Sequence, residues 1–148
     1  MSWLASHENF TIQNMAKPRK GRMDWIKAPD VKLRILRLVK DLEMDYVKPR
    51  SVYAYRSTQS KTRAYARIWG LPRLWQEVLD IRPTYIVEVL SQHFDNLSER
   101  KKDEVILHEL THIPKNFSGA LVPHIKHGKR SFHKQVDALV KRYLEKKW

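Results

Sequence analysis

The 148-residue sequence contains no cysteine and no long apolar run. Without cysteine, disulfide bonds and thiolate metal sites are excluded, so a transition-metal site must use histidine and carboxylate ligands. The absence of cysteine also fits a reducing compartment. No apolar stretch reaches the length of a membrane span, and residues 1–9 lack the basic start and apolar core of a signal peptide. We therefore predict a cytoplasmic protein that does not contact membranes.

Acidic residues are also scarce, with 16 against 29 basic residues and a net charge of +13. Such an excess favours a polyanionic partner such as nucleic acid, although a basic solvated surface is the alternative. Residues 1–28 show no sustained periodicity, and we predict that they form a basic arm. The residues of this arm that we expect to contact nucleic acid are Lys17, Arg19, Lys20 and Arg22. The alternative is a solvated tail.

Residues 29–148 carry the patterns of a folded domain. Apolar residues recur at helical spacing after Pro29, and three later segments alternate as strands do. The predicted elements are a helix from residue 29, strands at 51–57, 63–69 and 84–90, a helix at 99–113 and a helix from residue 131. We expect a polar hairpin loop between the first two strands. This order predicts an α+β domain in which helices cover one face of a small, mostly antiparallel, three-stranded sheet.

The helix predicted at 99–113 contains the sequence His108-Glu109-Leu110-Thr111-His112. Because residues four apart lie one turn apart on a helix, both imidazoles can bind one metal ion. The carboxylate of Glu109 can then accept a proton from the attacking water. The helix has start signals at Asn96 or Ser98 and a stop signal at Pro114, which supports this interpretation. Two solvated helix histidines are the alternative.

This combination resembles the SprT-like zincin metallopeptidases and the metallopeptidases of archaea and phages. The resemblance rests on the strand that precedes the H-E-x-x-H helix, on His127-Gly128 downstream, and on Phe132 at the start of the last helix. The run into Ile113-Pro114, with Gly119 and Pro123-His124 beyond it, adds to the resemblance. Over about residues 50 to 145, the resemblance implies a minimal zincin-like metalloprotease fold, a Zn²⁺ cofactor, a third histidine ligand and cleavage of peptide or protein substrates.

The third ligand that the resemblance implies remains open between neighbouring histidines. The SprT-like pattern places an aromatic residue three positions after His-Gly, whereas Phe132 lies one residue farther from His127-Gly128. We favour His127, with His124 as the alternative and His133 or a carboxylate behind them. Three residues are candidates to stabilise the oxyanion of the reaction: Tyr143, His133 and Arg130. We also expect the strand at 84–90 to form the sheet edge along which an extended substrate pairs.

Three functions are compatible with these patterns. The first is a zinc-dependent metallopeptidase, acting on DNA-associated proteins in view of the basic charge. The second is a nucleic-acid-binding protein with a structural or degenerate zinc site, which the intact Glu109 disfavours because a structural site has no need of that carboxylate. The third is a hydrolase of non-peptide amide bonds.

Overall fold

A computed structural model of the chain describes residues 22–124 and 131–147, without the side chains of residues 131–133, 135 and 136. Several predicted site residues lie outside the described residues: Lys17, Arg19, Lys20, His127 and Arg130, together with the side chain of His133. Within the described ranges, no helix combines the length and the apolar character that crossing a membrane requires.

The described chain contains four strands, five α-helices and one short 3₁₀ turn. In order, they are β1 (Asp24–Lys27), α1 (Pro29–Asp41), the 3₁₀ turn (Pro49–Ser51), β2 (Val52–Thr58), β3 (Ala66–Gly70), α2 (Arg73–Leu79), β4 (Tyr85–Leu90), α3 (Ser91–Phe94), α4 (Glu99–Leu110) and α5 (Ser131–Lys147). The mixed α+β class is confirmed, and helices begin at the predicted residues 29, 99 and 131.

The four strands form one sheet in the order β1-β2-β4-β3. β1 pairs antiparallel with β2, β2 pairs parallel with β4, and β4 pairs antiparallel with β3. The prediction of three strands was therefore wrong, because β1 adds a short edge strand from the segment assigned to the arm. The predicted hairpin was also wrong, because β4 lies between β2 and β3.

β4 lies inside the sheet, between β2 and β3, and five of its six residues are buried. A strand that is buried on both faces is stable only with neighbours on both edges. The prediction that residues 84–90 form the sheet edge was therefore wrong. β3 is the edge strand on this side, since its single strand partner among the described residues is β4.

Helices α1 and α4 cover one face of the sheet. α1 begins with Pro29 at its first helical position, and Val31, Ile35 and Leu38 are fully buried along one stripe. α4 begins at the N-cap Ser98, whose hydroxyl accepts a hydrogen bond of 3.2 Å from the Lys101 N–H. The residues of α4 that enter the core are Ile106, Leu107 and Leu110. This packing directs the neighbouring side chains of His108 and Glu109 away from the core.

A buried ion-pair cluster joins α1 to α4. Asp103 of α4 is fully buried and accepts hydrogen bonds from Arg34, at 2.6 Å, and from Arg37. Lys147 of α5 lies 3.8 Å from the second carboxylate oxygen. Because a buried carboxylate requires compensating charge, these three cations fix the rotation of α4 about its axis.

We predict that Asp103→Asn lowers the free energy of unfolding by about 3 kcal/mol, since it leaves the partly buried Arg34 and Arg37 without this counter-ion. Glu99→Gln is the matched control, because Glu99 pairs with the same Arg34 but its side chain is 61% exposed. The control should change stability by less than about 1 kcal/mol. Urea unfolding followed by tryptophan fluorescence measures both values, and equal losses in the two variants would contradict this role for Asp103.

Candidate metal centre

The end of α4 brings the first two histidines together. His108 lies in the last turn of the helix, and His112 lies in the turn that follows it. In that turn, the Thr111 N–H donates to the Leu107 carbonyl and the His112 N–H donates to the Glu109 carbonyl. The helix ends at Leu110 rather than at the predicted residue 113. The continued turn nevertheless keeps the His108 and His112 ring centroids 5.2 Å apart.

His124 completes a cluster of three histidines. Its Nε2 atom lies 2.8 Å from Nε2 of His108 and 3.0 Å from Nε2 of His112. One ring nitrogen from each residue falls within 4.8 Å of the others. His112 is buried, His108 is half-buried and His124 is exposed, so the cluster opens toward solvent on the His124 side.

Two hydrogen bonds between His112 and Val122 bring His124 to this position. The Val122 N–H donates to the His112 carbonyl at 2.7 Å, and His112 Nδ1 lies 2.6 Å from the Val122 carbonyl. Because a carbonyl oxygen only accepts, this geometry assigns the proton of His112 to Nδ1. The lone pair of Nε2 then points into the cluster, where a metal would bind.

Tyr85 of β4 anchors the segment that leads to His124. Its hydroxyl donates to the Ala120 carbonyl at 2.7 Å and accepts from the Gly119 N–H at 2.8 Å. Its ring meets Phe117 edge-on, with centroids 4.9 Å apart. The aromatic side chain lies on the covered face of the sheet, so the central strand directly holds residues 117–120.

The same segment packs tightly against the end of β3. A Cβ atom on Gly70 would lie 2.2 Å from the Gly119 carbonyl oxygen, and one on Gly119, which has a φ of +92°, would lie 2.4 Å from the Leu71 carbonyl oxygen. Gln76 of α2 bridges the two parts by donating to the carbonyls of Leu71, at 2.8 Å, and Ser118, at 2.9 Å. Both glycines are therefore required for this backbone approach.

Glu109 faces a cleft next to the histidines. The cleft has a volume of about 230 Å³, and its walls come from β3 and the residue before it, from α4 and from α5. The residues that line it are Tyr65, Ala66, Lys101, Glu104, Val105, His108, Glu109, Asp137 and Val140. Burial raises the pKa of Glu109 to about 7. A cation bound by the adjacent histidines would lower that pKa and favour the ionised carboxylate.

The histidine cluster fits a zinc ion by the chemistry of its donors. Zinc is commonly held by imidazole nitrogens at about 2.0–2.1 Å, which places tetrahedral ligand atoms about 3.3 Å apart. The Nε2 atom of His124 lies 2.8 Å from that of His108 and 3.0 Å from that of His112, somewhat closer than in a tetrahedral site. The assigned Nδ1–H of His112 meets the requirement for an oriented, neutral imidazole.

Two further predicted site residues, Tyr143 and Arg22, lie within the described part of the chain, and neither is in this cluster. The Tyr143 hydroxyl lies 3.4 Å from a carboxylate oxygen of Asp41 and accepts from Lys147 at 3.2 Å. Burial, followed by the charge of Asp103, raises the pKa of Tyr143 to about 12. The Tyr143 hydroxyl therefore contacts Asp41 of α1 and not the histidine cluster. Arg22 is exposed before β1.

Sequence reasoning did not identify Tyr85, Gln76 or Val122 as supports of the site. Tyr85 resembles any aromatic residue of a strand, and Gln76 lies in a helix that has no buried residue. Their roles depend on contacts with residues 117–122, which are distant in sequence from Tyr85 and Gln76. No local pattern indicates such contacts.

Comparison with known proteins yields one family. A family model described as "Putative phage metallopeptidase" matches residues 23–144. Neither the curated proteins nor the solved structures contain a match. The matched residues run from just before β1 into the last turns of α5, and they include the three clustered histidines and Glu109. The chain therefore belongs to this phage metallopeptidase family.

Proposed function

We propose that the protein is a zinc-dependent metallopeptidase in which His108, His112 and His124 hold the metal and Glu109 is the general base. The observation that carries this proposal is the convergence of three imidazole nitrogens beside a carboxylate that faces a cleft. Family membership supports the reaction class. His124 replaces His127 as our favoured third ligand, because both the N–H and the carbonyl of Val122 are hydrogen-bonded to His112.

Three histidines and no thiolate are a donor set of catalytic rather than structural zinc sites. A structural zinc site has four protein ligands, whereas a catalytic site keeps one position for water or substrate. When bound, zinc supplies a Lewis acid that polarises the peptide carbonyl and lowers the pKa of water. The exposed position of His124 leaves that side of the cluster accessible to a substrate.

Glu109 is placed to move protons during hydrolysis. Glu109 follows His108 in sequence, and both residues line the cleft. The Glu109 carboxylate is therefore available to accept a proton from the attacking water. The same carboxyl group then transfers that proton to the leaving amine.

The edge of β3 is the surface on which an extended peptide would lie. The Leu90 N–H donates to the Tyr65 carbonyl at 2.9 Å, so Tyr65 and alternate residues after it bond to β4. The backbone groups of Ala66 and Ile68 therefore point outward, as antiparallel geometry requires. Ala66 also lines the cleft that contains Glu109. Pairing through backbone groups would give low sequence selectivity.

We predict that Glu109→Gln keeps zinc and lowers the rate of peptide hydrolysis by at least about 100-fold, because the general base is lost. Hydrolysis of a fluorescently labelled unfolded protein gives the rate, and elemental analysis gives the zinc content. Glu104→Gln is the matched control, since Glu104 lines the same cleft but carries no assigned role. Full activity in the Glu109 variant would rule out this mechanism.

We predict that His124→Ala lowers zinc affinity by more than about 100-fold. Removing a direct ligand should weaken binding more than removing a residue that only hydrogen-bonds to a ligand. His127→Ala should bind zinc as the wild type does. Competition with a chromophoric chelator measures both affinities. The reverse pattern, with weak binding only in the His127 variant, would show that His127 is the third ligand.

We predict that Tyr85→Phe weakens zinc binding by about 10- to 100-fold although Tyr85 does not contact the metal, because it removes the hydroxyl that orients residues 119 and 120. Tyr53→Phe serves as the control, since Tyr53 is exposed on the other face of the sheet. Zinc affinity is measured at a temperature where circular dichroism shows each variant fully folded. Unchanged affinity in Tyr85→Phe would contradict this positioning role.

A further inference from the structure

The face of the sheet opposite α1 and α4 carries an exposed aromatic surface. Trp25 is 49% exposed, Tyr53 52% and Trp69 47%. Together with Tyr55 and Ile86, these residues form what we call the aromatic face, and all four strands contribute to it. Within the described part of the chain, Ile86 is 38% exposed and Tyr55 is half-buried.

The strand register brings these side chains into adjacent rows. Tyr53 pairs with Ile86, and Ile86 pairs on its other side with Trp69. Adjacent strands lie about 4.8 Å apart, so the three side chains form a continuous surface. Trp25, Tyr55, Trp69, Ile86 and Glu88 surround a shallow cavity of about 340 Å³.

The aromatic face presents no net negative charge. Glu88 is the one acidic residue that the described strands place on this face, and it is fully buried. It accepts hydrogen bonds of 2.9 Å from both Nε and Nη2 of Arg67, and one of 2.8 Å from Trp69 Nε1. The Arg67 guanidinium also lies 5.1 Å from the centroid of the Trp69 ring. An anionic ligand would therefore meet no uncompensated carboxylate here.

Basic residues lie beyond both ends of the strands that carry this face. Where β2 and β4 begin, Lys48, Arg50 and Arg82 line a pocket of about 560 Å³, and none of the described residues that line it is acidic. We call this the basic pocket. β1 runs antiparallel to β2, so it begins at the opposite end of the sheet. The exposed Arg22 precedes β1 there, and the sequence before it contains the basic cluster at positions 17–20.

We propose that the aromatic face binds single-stranded nucleic acid. The bases would stack on Trp25, Tyr53 and Trp69, and the phosphates would contact the basic pocket. Stacking on aromatic side chains combined with a basic path for the backbone is the physical basis of single-strand binding on sheets. Stacking does not depend on base identity, so the binding would tolerate most sequences. A duplex, whose bases are already stacked and paired, would not fit the aromatic face.

This surface is separate from the proposed peptidase site. The histidine cluster belongs to α4 and to residues 122–124, and α4 packs on the covered face of the sheet. Nucleic acid and a peptide substrate can therefore bind together. The proposal does not depend on zinc or on Glu109.

The net charge decides between nucleic acid and other occupants. The two other candidate occupants are a second copy of the chain and the chain's own residues 1–22. A second copy carries the same charge of +13, and residues 1–22 are also basic. Both arrangements bring like charges together, whereas nucleic acid neutralises them. The aromatic and cationic groups together therefore fit a polyanion with flat, stackable groups.

Fluorescence anisotropy of a labelled 20-nucleotide oligo-dT, titrated with the full chain at low salt, tests the proposal. Trp25→Ala and Tyr53→Ala should each raise the dissociation constant about 10-fold or more, with unchanged melting temperature. Trp75→Ala is the control, because Trp75 is 56% exposed on α2, outside the aromatic face. Arg82→Glu should weaken binding more than Lys40→Glu. The Lys40 variant makes the same charge change at an exposed position of α1.

Three results would overturn the proposal. The first is the absence of oligo-dT binding, or binding that Trp25→Ala and Tyr53→Ala leave unchanged. The second is a dimer in sedimentation velocity that Trp25→Ala dissociates, which would identify a second copy as the occupant. The third is a large loss of melting temperature in both variants without an effect on oligo-dT binding, which would show that the chain covers the face itself.

Discussion

The candidate metal centre depends on the paired hydrogen bonds between His112 and Val122. One bond joins the two backbones, and the other joins the Val122 carbonyl to the His112 ring. Together they orient one imidazole, assign its proton and hold the chain two residues before His124. Without them, α4 and the turn after it would present two histidines, with no third donor at a defined distance.

The rest of the domain supports this pair of bonds from two sides. The ion pairs around the buried Asp103 fix α4, which carries His108 and Glu109. Tyr85 and Gln76 hold residues 118–120, and Gly70 permits their close approach to β3. The central strand β4 is thus connected to the loop that supplies His124. A stable sheet is therefore a condition for a preorganised site.

Local signals in the sequence predicted the three longest helices and two of the three histidines of the candidate site. Pro29 and Ser98 mark helix starts in the structure as expected, and the H-E-x-x-H spacing brings His108 and His112 together. The sheet order was not predictable in this way, because pairing of β2 with β4 rather than with β3 is a contact between distant segments. Short β1 lacks the length to show alternation. The choice of His124, and the engagement of Tyr143 with Asp41, likewise depend on tertiary packing.

The central claim is that His108, His112 and His124 bind one zinc ion. Anomalous diffraction at the zinc edge, from crystals of the zinc-loaded protein, locates the metal without assumptions about its ligands. We predict a single peak about 2.0–2.1 Å from Nε2 of each of these three histidines. A peak bound by His127 in place of His124, or no peak beside His108 and His112, would contradict the claim.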